Sequence, residues 1–194
     1  MTTFIITILT SSVLAAIISG LVNYSIKTKE IRVQINLEEK NRWYNSVNKV
    51  YPELLSASSE HMEKLFLHIK NKDEDKSIQD ILNVLKEHEN NHYTLTFLIR
   101  QCSYVPQNEI DEVLRSMDDI RRILLLTQNI YYKSKKKSNE ELVKKWMRKV
   151  EVLLSLEKIK LSKKVAYLVK NERQIMTHEI TKNRMIEIVL SLIK

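Results

Sequence analysis

Gly20, Pro52 and Pro106 are the only glycine and prolines in 194 residues. A sheet needs a tight turn after most of its strands, and those turns draw on glycine, so a strand-rich fold has too few corners to be built from this chain. Between the breakers, Leu, Ile, Lys and Glu dominate, and all four are at ease in helices. The expected fold class is all-α. Cys102 is the single cysteine. It excludes an internal disulfide and a cysteine-built zinc site, fits a reducing compartment, and suits a buried thiol acting as a small hydrophobe.

The first 26 residues, MTTFIITILTSSVLAAIISGLVNYSI, carry no charge. As a helix they would measure about 39 Å, more than a bilayer core of roughly 30 Å. No Lys or Arg precedes the apolar run and no clear small-residue cleavage site follows it, so a cleaved leader fits less well than a transmembrane helix over residues 3–26. Lys27, Lys29 and Arg32 come next. By the positive-inside rule they place the N-terminus outside and the rest in the cytoplasm, as a single-pass protein of the inner membrane. Thr3, Thr7, Thr10 and Ser11 share one side of that helix, and Ser12, Ser19 and Asn23 an adjoining one. Small and hydroxyl side chains let helices approach closely, which suits self-association and, with enough copies, the lining of a pore. Hydroxyls that bond back to their own helix carbonyls are the plainer alternative.

Past the anchor, residues 27–51 are expected to continue as a juxtamembrane helix and residues 52–194 to form a helical bundle. Pro52 should mark a kink or a fresh start. Leu54, Leu55, Met62, Leu65, Phe66 and Ile69 recur at helical spacing, as do Val113, Leu114, Met117, Ile120, Leu124 and Ile130. Residues 70–77 should form a solvated loop, with Ser77 and Asp80 capping the helix that follows, and Ser138 with Glu141 makes a capping box for a later one. Asn171 and Glu172 are expected to break the last helical stretch in two.

Charge is uneven. Residues 131–170 hold 13 Lys or Arg against 4 Glu, a net of +9 where the whole chain is +8. Lys133, Lys135, Lys136, Lys137, Lys144, Lys145, Arg148 and Lys149 are candidates for contact with phosphates or acidic lipid headgroups. A solvated helix face is the bland alternative. Tyr131, Tyr132 and Trp146 are too few to make a base-stacking platform.

Two short motifs carry possible chemistry. HENNH, His88 to His92, has the H-E-x-x-H spacing in which two histidines bind zinc and the glutamate, Glu89, activates water. Its surroundings are polar and no edge strand is available to hold a substrate, so an exposed helix face explains it more simply. His61 and His68 add no better cluster. RQIMTH, Arg173 to His178, pairs a permanent cation that steadies a phosphate with a group that exchanges protons near neutral pH. In a straight helix these two side chains point about 140° apart, so a shared site needs non-helical backbone at 171–173 or a second copy of the chain.

The R-x4-H stretch fits the signature of HEPN domains, which are small helical bundles. With the uncharged start and the basic surface, it resembles the small membrane-anchored HEPN-like accessory proteins encoded beside the RNA-targeting effector nuclease of type VI-B CRISPR systems. The resemblance implies a HEPN-like cytoplasmic bundle in a homo-oligomer whose anchors form a membrane pore. Its role would be to strengthen antiviral defence once the effector has recognised phage RNA. The implied partners are the lipid bilayer, further copies of the chain, and the effector nuclease or RNA; no cofactor is implied. Arg173 and His178 would then serve architecture rather than cleavage, in keeping with Gln174, where nuclease motifs favour Asn, Asp or His. The alternative is a membrane-tethered, metal-independent endoribonuclease with His178 as acid or base.

Overall fold

The computed structural model describes the backbone of residues 2–71, 75–135 and 140–192, and the side chains within them except at 2–14, 70–71, 75–77, 134–135, 140, 142, 176–177, 179–181 and 183–192. Four helices follow in order: α1 (Thr2–Asn71), α2 (Asp75–Arg100), α3 (Gln107–Lys135) and α4 (Glu140–Leu192). No strand occurs among the described residues, as the scarcity of turn makers requires.

The helices are longer than the sequence suggests, because two expected breaks do not break. Pro52 lies inside α1. It removes one backbone donor and crowds the carbonyl of Asn48, but both residues are exposed, so water can satisfy that carbonyl. Asn171 and Glu172 lie inside an uninterrupted α4. Neither residue obstructs a helix, and Glu172 finds its partners elsewhere in the bundle, as described below. The break at Pro106 is real: α2 ends at Arg100 and α3 begins at Gln107, where Glu109 and Ile110 donate their amide hydrogens to the Pro106 carbonyl. The loop expected over 70–77 is shorter, since helix runs to Asn71 and resumes at Asp75. The side chain of Ser77 and all of Ser138 lie outside the described residues.

The chain divides into two compact units, Met1–Trp43 and Tyr44–Lys194. In the first, the side chains of Ile17, Ile18, Leu21, Tyr24, Ile31 and Ile35 are exposed, along with Ser19 and Asn23. The side chains of Thr3, Thr7, Thr10, Ser11 and Ser12 lie outside the described residues. Among the described side chains, Ser19 and Asn23 interrupt the uncharged run, and Lys27, Lys29, Glu30 and Arg32 follow directly on the same helix. Among the described residues no helix is long and apolar enough to cross a membrane. This overturns the expected single-pass placement in the inner membrane.

The second unit holds a continuous core. On α3, Ile110, Val113, Met117, Ile120, Leu124, Thr127 and Tyr131 are all buried, a spacing of three and four that lays one stripe along the helix. α3 packs against both α2 and α4. The other helices contribute further buried side chains: Ile81, Val84, Leu95 and Ile99 of α2, Val143, Met147, Val150, Leu154, Leu161, Val165 and Leu168 of α4, and Leu54, Met62 and Leu65 of α1. A fully buried aliphatic side chain contributes about 1.5–3 kcal/mol, so this stripe is the main source of stability.

Candidate functional site

Four polar side chains interrupt these stripes at positions where the spacing calls for a hydrophobe. On α2 the buried positions run 81, 84, 88, 92, 95 and 99, and the third and fourth are His88 and His92. On α1, between Leu54 and Leu65, the register places His61 inside. On α4, between Leu154 and Leu161, it places Lys158, which is half-buried. The four form a polar layer within the second unit, since His88 feels the charges of His92, His61, Arg121 and Lys158.

The imidazoles of this layer are starved of partners. His61 and His88 are 0 % exposed, and neither ring nitrogen of His61, His88 or His92 has a well-directed hydrogen bond. The His88 and His92 rings lie 6.3 Å apart, centre to centre. His92 Nε2 is 3.1 Å from Asp118 Oδ1, within ion-pair distance. Burial pushes His61 down to about 4, the Ile81 backbone opposing it in part. Burial, and then the nearby His92, push His88 down to about 3. His92 is also lowered by burial, with Asp118 pulling the other way. All three are neutral at pH 7 because a charge there would exchange water for hydrocarbon.

Around the layer, polar groups close on one another. Glu89 accepts from Arg121 Nε through both carboxylate oxygens, at 2.7 and 2.9 Å, tying α2 to α3. Arg121 also lies 5.8 Å from the Tyr93 ring centre. The Lys158 ammonium donates to Ser59 Oγ, and the Tyr51 hydroxyl donates to Ser162 Oγ, two links between α4 and the 51–59 stretch of α1. Desolvation lowers the Lys158 amine.

HENNH therefore sits in a different setting from the exposed face expected of it. Its histidines are buried, while Glu89, the residue that would activate water, is held in an ion pair. Among the described residues no group of three His, Cys, Asp or Glu side chains is placed to share a metal ion. His68 is buried too, its ring edge-on to Tyr131 at 5.5 Å.

Arg173 and His178 are both exposed, on a helix with no break between them. The non-helical backbone at 171–173 that would have brought them together does not form, and five helical steps leave them about 140° apart. Arg173 instead lies over the Tyr44 ring, 5.5 Å from its centre. The residue beside it carries the structural role. Glu172, only 2 % exposed, accepts hydrogen bonds from the backbone amides of Ser103 and Tyr104 at 3.2 and 3.1 Å, and from the Ser103 hydroxyl. One carboxylate thus secures the α2–α3 connection to α4.

Of the basic candidates, Lys133, Lys145, Arg148 and Lys149 are exposed and Lys144 is half-buried. The side chain of Lys135 and all of Lys136 and Lys137 lie outside the described residues. Further along α4, Lys160, Lys163 and Lys170 are exposed, and so are Val152, Leu156, Ile159 and Tyr167. At about 100° per residue these all project from the same half of the helix, which at its N-terminal end also holds the exposed carboxylate of Glu141. Periodicity in the sequence would have revealed this mixed face.

The chain matches no protein-family model, no curated protein and no solved structure. Nothing outside the molecule therefore assigns a role to the polar layer, to the R-x4-H pair or to the α4 face. Their chemistry alone ranks them. The imidazoles of the polar layer are enclosed and neutral, the Arg–His pair diverges, and the α4 face is open, cationic and partly apolar.

Proposed function

We propose that this chain is a non-enzymatic accessory protein that acts by binding, through the exposed face of α4, to an acidic protein surface, and that this partner is an RNA-targeting effector of antiviral defence. The observation that carries it is the unbroken α4, which holds Arg173 and His178 on diverging sides, so one chain does not assemble a cleavage pair. The α4 face supports a binding role. Val152, Leu156 and Ile159 make an apolar strip, ringed by Lys145, Arg148, Lys149, Lys160 and Lys163. A protein interface uses such a strip as its desolvated centre and such charges for steering, whereas a surface meeting only water has no use for the strip. The link to RNA-targeting defence rests on the resemblance of RQIMTH.

The test has two arms. Purified full-length chain is incubated with single-stranded RNA in EDTA, and the RNA is expected to stay intact. Cleavage that His178→Ala abolishes would instead support a ribonuclease, with Arg173 from one copy and His178 from another. In the second arm the effector nuclease encoded nearest the chain's own gene is titrated against wild type and Ile159→Glu. Affinity is expected to fall at least about tenfold in the variant, a loss of about 1.4 kcal/mol. Equal affinity would reject the α4 face.

A further inference from the structure

A bundle that buries three imidazoles, only one of them beside a carboxylate, has placed three proton acceptors where a positive charge is poorly compensated. Hydrophobes of similar volume would fill the same positions without that liability, and a buried histidine left without hydrogen bonds is not there for stability. We propose that His61, His88 and His92 form an acid-sensitive latch: in mildly acidic conditions they take up protons, His92 first, and α2 loosens from its packing against α3 and the 51–69 stretch of α1.

The charges facing the layer set the order of events. From α2 itself comes Glu89, but it is engaged by Arg121. From α3 come Arg121, a cation, and Asp118, beside His92. From α4 comes the Lys158 ammonium, and no carboxylate from that helix is among the groups that act on His88. His92 therefore has the one adjacent carboxylate that welcomes a proton and charges first. The imidazolium so formed stands one helical turn from His88 and repels a second charge there, as do Arg121 and Lys158. His61 has no carboxylate acting on it, and only the Ile81 backbone offsets part of its burial. The second and third protons are accepted only if the layer opens to water. α2 carries two of the three histidines and is the element expected to move.

The sign follows from where protons bind. The closed bundle keeps His61 and His88 neutral down to about 4 and about 3, while an opened, hydrated imidazole titrates near 6.5. Above about 6.5 neither form is protonated and the latch is fully closed. As pH falls below that value, each histidine charged only in the open form multiplies the opening equilibrium by about ten per pH unit. His61 and His88 together give about a hundredfold between pH 6 and pH 5, and His92 adds to it.

Hydrogen exchange of the full-length protein between pH 7.5 and 5, corrected for intrinsic rates, tests the latch. Exchange of amides in 81–99 is expected to rise about a hundredfold or more between pH 6 and 5, ahead of amides in 113–124. In His88→Leu the rise should shrink to about tenfold, while His178→Gln, altering an exposed imidazole, should leave it unchanged. If His88→Leu leaves the pH slope as steep as wild type, or if all segments open together, the latch is refuted. Should the leucine variant fail to fold, proton NMR of the wild type decides. His61 and His88 ring signals that do not move between pH 8 and 6 uphold the proposal, and signals that titrate near 6.5 in the folded protein overturn it.

Discussion

The two units invert each other's relation between hydropathy and burial. In Met1–Trp43, Ile17, Leu21, Tyr24 and Ile31 are each more than half exposed. In Tyr44–Lys194, His61, His88 and Glu172 are almost wholly shielded. Both are built from the same helical code. The difference is that the second unit has neighbouring helices to cover a stripe whatever its composition, whereas the described apolar side chains of residues 17–35 lie mostly open. Hydropathy states what a residue prefers; burial states what its neighbours supply.

The strongest way to break that comparison is to hollow the second unit. Leu161→Ala, at a fully buried position of α4, is expected to lower stability by about 3 kcal/mol, read from the urea midpoint of the full-length chain. A change below about 1 kcal/mol would mean that α4 is not packed as described. Next comes pH. Because His61 and His88 are depressed in the folded state, their contribution is complete above about 6.5 and is lost as pH falls towards about 4 and about 3. Unfolding at pH 5 should therefore be easier than at pH 7.5 by on the order of 3 kcal/mol, measured by the same denaturant titration. A flat profile would show that the imidazoles are hydrated.

Glu172→Ala should cost about 2 kcal/mol, since two backbone amides and a hydroxyl lose a charged acceptor. Faster amide exchange at Ser103 and Tyr104 would localise the loss to the α2–α3 connection, and unchanged exchange there would break the assignment. Arg173→Ala removes a cation lying over Tyr44 at an exposed site and is expected to cost only about 0.5–1 kcal/mol. The smallest effect should come from the first unit. Leu21→Ser, at an exposed position, is expected to shift the urea midpoint of the second unit by no more than about 0.5 kcal/mol. If it matched Leu161→Ala, the contrast between the units would not stand.

How much of this was legible beforehand varies with the kind of residue. The α3 stripe was visible because Val113, Met117, Ile120 and Leu124 are apolar at helical spacing, and spacing is all that a helix needs to declare its inner face. Leu114 and Ile130, on the margin of that stripe, came out half-buried and exposed. HENNH was misjudged because its letters are polar. The phase of Ile81, Val84, Leu95 and Ile99 places both of its histidines on the inner face, and that phase was available in the sequence. Asn171 and Glu172 read as a break because polar pairs often end helices. Glu172 is polar because it holds Ser103 and Tyr104, some seventy residues away, and no local pattern signals a partner at that distance.

The sequence by itself determined that the described chain is helix joined to helix, since one glycine and two prolines leave no means of making the turns of a sheet. It also determined where the body is most cationic. Only the tertiary structure decided that α1 and α4 run through their expected breaks, that Glu172 reaches Ser103 and Tyr104, and that Arg173 and His178 diverge. Secondary structure follows from local backbone preference, which composition encodes, whereas burial and partnership depend on which distant segment lies opposite, which it does not.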